Sequence, residues 1–138
     1  MERLVKAEAD GGYDAFVQEV TRKRTEWYEA NKDVLRLEGS EVRRGYTLLV
    51  IRYLGLDPAQ VPVVFEDGTR IIWRSSNFCP LLEACKRLGK DTRDVCRRAQ
   101  EAPAQALVSK VHPRLRFSRN YDRIRPYEPF CEEMIEKL

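Results

Sequence analysis

Val61-Pro62-Val63-Val64-Phe65-Glu66-Asp67-Gly68-Thr69-Arg70-Ile71-Ile72-Trp73 is the stretch on which the class of fold turns. Val61, Val63 and Phe65 alternate up to Asp67-Gly68, and Ile71 and Trp73 resume the alternation beyond it. Asp-Gly between two alternating apolar runs is a strong short-range signal for an antiparallel hairpin. The chain is therefore expected to contain antiparallel sheet.

On the N-terminal side of the hairpin the period changes from two to about 3.6. Ser40 is a good N-cap for a helix that places Val42, Tyr46, Leu49, Val50 and Tyr53 on one face, with Gly55 as its stop. An earlier helix is expected from about Tyr13 to Ala30, after the Gly11-Gly12 break, with Phe16, Val17, Val20, Trp27 and Tyr28 on its apolar stripe.

On the C-terminal side three short helices follow. Cys79-Pro80 opens the first, with Leu81, Leu82, Cys85 and Leu88 facing inward and Gly89 ending it. Asp91-Thr92-Arg93-Asp94 resembles a capping box for the second, which carries Val95, Cys96 and Ala99. Pro103 begins the third, and His112-Pro113 breaks it. Leu115, Phe117, Arg119 and Tyr121 then alternate with Arg114, Arg116, Ser118 and Asn120, which reads as a strand with one basic face. From Phe130 onward, Cys131, Met134, Ile135 and Leu138 fit helical spacing. Cys131-Glu132-Glu133-Met134 also suits a strand beside residues 114–120, but periodicity favours helix. Together these elements predict one α+β domain over residues 1–138, with helices packed on an antiparallel sheet.

Composition narrows the function classes. At 43% hydrophobic and 34% charged residues, the chain suits a folded domain with a well-solvated surface. The longest apolar run, Leu48 to Ile51, is far short of a membrane span. The opening Met1-Glu2-Arg3-Leu4 stretch has no secretory pattern, so the expected address is the cytoplasm, where cysteines stay reduced. Residues 86–125 hold twelve Lys/Arg against four Asp/Glu, a balance of +8 in a chain of net +3. That asymmetry suits an anionic partner or a solvated basic face. Nucleic acid is disfavoured, because no RNP, KH, helix-turn-helix or zinc-finger pattern accompanies the basic residues.

Chemistry in this sequence centres on Cys79, Cys85, Cys96 and Cys131. Cys79 stands where a helix N-terminus favours a thiolate, the form that a nucleophile or metal ligand must take. It could equally just terminate the hairpin. Cys85 and Cys96 fall on apolar stripes and read as core residues. Cys131 precedes two glutamates, so a reactive thiol there needs positive charge, from Arg123 or Arg125. Intervals of five, ten and thirty-four residues contain no C-x₂-C knuckle. A metal, if present, would draw on Cys79, Cys96, Cys131 and His112, a set suited to zinc or an iron–sulfur cluster. His112 is the sole histidine and hence the natural candidate for general acid–base work. The arginines of 114–125 could grip a substrate carboxylate or coat a strand.

Asn77-Phe78-Cys79-Pro80-Leu81-Leu82-Glu83-Ala84-Cys85-Lys86-Arg87-Leu88-Gly89, Val95-Cys96, Pro113-Arg114-Leu115-Arg116-Phe117 and Phe130-Cys131-Glu132 together resemble the L-2-amino-thiazoline-4-carboxylic acid hydrolase family. The same segments are more distantly similar to the cysteine-bearing ligand domains of the 4-vinyl reductase type. The resemblance implies helices on an antiparallel sheet and a strand, not a helix, at the tail. It aligns Cys79, Cys96 and Cys131 with the family's cysteines. It also implies thiol-dependent hydrolysis of a C–N or C–S bond in a small anionic heterocycle, with no cofactor. Cys79 or Cys131 would be the nucleophile, His112 the proton donor, and Arg116 or Arg119 the carboxylate partner. His112-Pro113 stands where the family has Asn-Pro, and Tyr127-Glu128-Pro129-Phe130 replaces its Gly-Asp.

Overall fold

The computed structural model describes residues 13–138. The Gly11-Gly12 break and the N-terminal stretch read for targeting lie outside them. Helix α1 runs Asp14–Asn31 and α2 runs Glu41–Tyr46. As expected, Ser40 caps α2, its Oγ accepting from the N–H of Arg43 at 3.3 Å. The helix then widens into a π-wound segment, Thr47–Tyr53, where the N–H of Leu54 donates to the carbonyl of Leu49. Gly55, at φ +64°, ends it. The wider winding has no periodic signature in the sequence and often marks functional positions.

The hairpin forms from β1 (Val63–Glu66) and β2 (Arg70–Ser75). Its turn works differently from the Asp-Gly expectation, because Gly68 does not adopt a positive φ. Instead Asp67 Oδ1 accepts from the N–H groups of Thr69 and Arg70 at 2.8 and 2.9 Å. An acidic side chain, not glycine's freedom, closes this turn.

Helices α3 (Pro80–Leu88), α4 (Thr92–Ala99) and α5 (Glu101–Val108) follow. Asp91 caps α4 by accepting from the N–H of Arg93 at 2.9 Å. Helix α5 starts two residues ahead of Pro103, which sits in a first turn where its missing N–H costs nothing. Strand β3 spans Leu115–Asn120.

The tail corrects the periodicity reading: Cys131–Lys137 is a strand, β4, not a helix. The sheet order is β1-β2-β4-β3, and every pairing is antiparallel. Cys131, Glu133, Ile135 and Lys137 therefore share one face of β4. Two of the four are charged and neutralised by partners: Glu133 by Arg119, and Lys137 by Glu41 at 2.9 Å. Those ion pairs break the apolar alternation that normally announces a strand.

The fold is α+β, with the helices packed on one face of the sheet. Gly45 in α2 permits the close approach, since a Cβ there would meet Ile135 at 3.3 Å and Leu115 at 3.4 Å. The interior divides into two apolar clusters. One joins α2, the π segment and α5 to Ile71, Trp73, Leu115, Phe117 and Ile135 of the sheet. The other joins Tyr13 and helices α3 and α4 to Ile124 and Cys131. Among the described residues, no helix is long and apolar enough to cross a membrane.

Candidate functional site

A cavity of about 560 Å³ opens along the seam between the two clusters. The sheet contributes Ser75, Phe117, Arg119, Cys131 and Glu133 to its wall. The π segment and its exit contribute Leu49, Val50, Leu54 and Leu56, so the unusual winding shapes the apolar side. Cys79 and Leu81 of the α3 entry, Cys96 of α4, Arg24 of α1 and Arg125 complete the part that bears on chemistry.

Cys131 is buried, and its Sγ accepts two hydrogen bonds from Arg125: one from the backbone N–H at 3.4 Å and one from the guanidinium Nε at 3.3 Å. Arg125 is itself fixed. Its guanidinium donates to the carbonyl of Asn77, and its own carbonyl accepts from Thr92 Oγ1 at 2.6 Å. The positive charge that the sequence required near Cys131 thus comes from Arg125, one of the two arginines considered for it.

Arg119 extends from β3 into the same cavity and pairs with Glu133 at 3.2 Å. Burial opposes its charge most strongly of any one influence, but Glu133 together with Cys96, Cys131 and Tyr121 outweighs it and holds the guanidinium pKa above its ordinary value. Ser75 Oγ donates to the same Glu133 oxygen at 3.3 Å, while Arg119 Nε is buried with no hydrogen-bond partner. Arg119 thus lines the cavity beside a held carboxylate and keeps one buried N–H without a partner.

The remaining thiols differ in setting. Cys79 lies half-buried at the N-cap of α3, where it makes no side-chain capping bond. Burial pushes the Cys96 thiol up to about 12 and the Cys85 thiol up to about 11. Cys85 packs in the second cluster, away from the cavity wall, in keeping with a core role. All four cysteines are free.

Two expected site residues lie elsewhere. His112 sits in the turn before β3, where its Nδ1 accepts from the N–H of Arg114 and its Nε2 is 4.0 Å from Glu41. It does not line the cavity, because the turn that holds it is tied to the start of α2. Arg116 points out of the uncovered face of β3 and is exposed. The proposed metal set does not assemble either. Cys79, Cys96 and Cys131 share the cavity without His112, and no group of three His, Cys, Asp or Glu among the described residues is placed to hold a metal ion.

Glu133 and Arg24 were missed at the sequence level. Glu133 shares a face with Cys131 only once the tail is a strand. Arg24 had a signal: it falls at helical spacing between Val20 and Trp27 on an otherwise apolar stripe. Compared with known proteins, the chain matches no family model, no curated protein and no solved structure.

Proposed function

We propose that the chain is a small cysteine-dependent enzyme that hydrolyses a C–N or C–S bond in a small anionic substrate held in this cavity. The observation that carries the reading is the pair of Arg125 donors on Cys131 Sγ, beside the held carboxylate of Glu133. A guanidinium and a backbone N–H directed at one sulfur suit a nucleophilic thiolate. Glu133 replaces His112 as the proton carrier. It accepts the Cys131 proton as the sulfur bonds to the electrophilic carbon, then gives that proton to the departing nitrogen or sulfur as the old bond breaks with its electron pair. Water then displaces Cys131 from the carbon, and the thiol recovers a proton from that water through Glu133. The balance is one bond hydrolysed by one water. The unused Arg119 Nε donates to the charge developing on the substrate. Cys79 and Cys96 are the other thiols at the cavity, and four free cysteines suit a reducing, cytoplasmic compartment.

Brief iodoacetamide treatment at neutral pH, followed by peptide mapping, tests the reading. Cys131 is expected to label first, and Arg125→Gln to slow that labelling by about tenfold, the value of one charge-assisted contact. Hydrolysis of 2-aminothiazoline-4-carboxylate and related ring carboxylates is expected to vanish in Cys131→Ala and to be measured in parallel in Cys79→Ala. Labelling of Cys131 only after unfolding sinks the nucleophile. A second reading, a non-catalytic ligand-binding domain, is favoured by one observation: the sole histidine stands outside the cavity. It predicts ligand binding with no turnover and no effect of Cys131→Ala.

A further inference from the structure

Arg24 is the charged group in the cavity that the chemistry above leaves unused. It projects from α1, is only 8% exposed, and lines the cavity. Its Nε is buried without a hydrogen-bond partner. Its guanidinium carbon stands 5.0 Å from the centre of the Tyr53 ring, a contact that compensates part of a buried charge. Arg119 has Glu133 and Arg125 has Cys131, but no carboxylate among the described residues forms an ion pair with Arg24. Burial pulls its pKa below the usual arginine value, with the Tyr53 side chain opposing in part, yet an arginine does not deprotonate in a protein. A buried cation without an anion is unfavourable unless a ligand supplies one.

We infer that Arg24 anchors the anionic group of the ligand and that Phe16, Leu49, Val50, Leu54 and Leu56 hold an apolar body behind it, which makes the ligand class an amphipathic monocarboxylate. The planar fork of a guanidinium matches a carboxylate, and a mostly apolar wall disfavours a dianion such as phosphate. The assignment rests on the cavity being the ligand site, as proposed above. It deepens that reading by moving the charge-binding role from Arg116 and Arg119 to Arg24.

Calorimetric titration of the intact protein with decanoate and with decanol tests it. The two probes differ at the charged end alone, so the comparison needs no variant. Decanoate is expected to bind at least tenfold more tightly than decanol. Arg24→Gln is expected to erase that difference while leaving decanol binding unchanged, and to raise the melting temperature of the ligand-free protein. Equal binding of the two probes, no binding of either, or full decanoate affinity in Arg24→Gln overturns the inference. Iodoacetamide labelling of Cys131 in the parent protein serves as the separating measurement. Arg24-dependent decanoate binding in a protein whose Cys131 labels only after unfolding leaves this inference standing and removes the catalytic one.

Discussion

Four thiols of the same chemical type are given different properties by position. Folded Cys96 keeps its proton to about 12, while a thiol in the unfolded chain releases it near 9. Between those values the unfolded chain binds fewer protons, so stability falls as pH rises; below pH 9 the contribution is intact. Each such thiol adds up to about 1.4 kcal/mol per pH unit to that slope. Urea midpoints at pH 8, 9.5 and 11 are therefore expected to fall less steeply in Cys96→Ala than in the parent. A parallel slope would show that Cys96 ionises freely in the fold. Cys131 is equally buried, and its sulfur accepts hydrogen bonds from Arg125.

At the scale of elements the test falls on β4. Ile135 is fully buried against Leu115 and Gly45, whereas Met134 lies half-buried on the uncovered face. Ile135→Ala is expected to cost about 2–4 kcal/mol in denaturant unfolding, and Met134→Ala under about 1 kcal/mol. A reversed order would mean that the strand's faces are exchanged. The hairpin, the capped α2, the Cys-Pro entry to α3 and the alternation that groups Arg119 with Leu115 and Phe117 were all legible before the structure, because each rests on local pattern. The strand nature of β4 was not. Glu133 and Lys137 occupy inward positions, and their charges are satisfied only by Arg119 and Glu41 from distant parts of the chain. The cavity was half legible: the cysteines and Arg119 could be picked out by type, but neither the exclusion of His112 nor the arrival of Arg24 follows from spacing. Those depend on how α1 and α2 dock.

For the molecule as a whole, the two clusters are unequal. Ten of the twelve largest fully buried side chains belong to the sheet-centred cluster, and only Val95 and Ile124 to the other. Apolar burial of that kind sets local opening free energies. Native-state hydrogen exchange is therefore expected to show α3 and α4 opening well before β2, β4 and α2, and ligand in the seam should slow that opening selectively. Uniform exchange across both halves would make the molecule a single cooperative unit. The strand order carries one more consequence. The segment bearing Cys131 follows every other described element in the chain yet lies between β2 and β3. Until it inserts, the two halves of the sheet have no shared edge, and the sulfur has no walled chamber around it. The walls around Cys131 are thus completed only when β4 docks between its neighbours, and the chemistry proposed for that thiol requires the finished sheet.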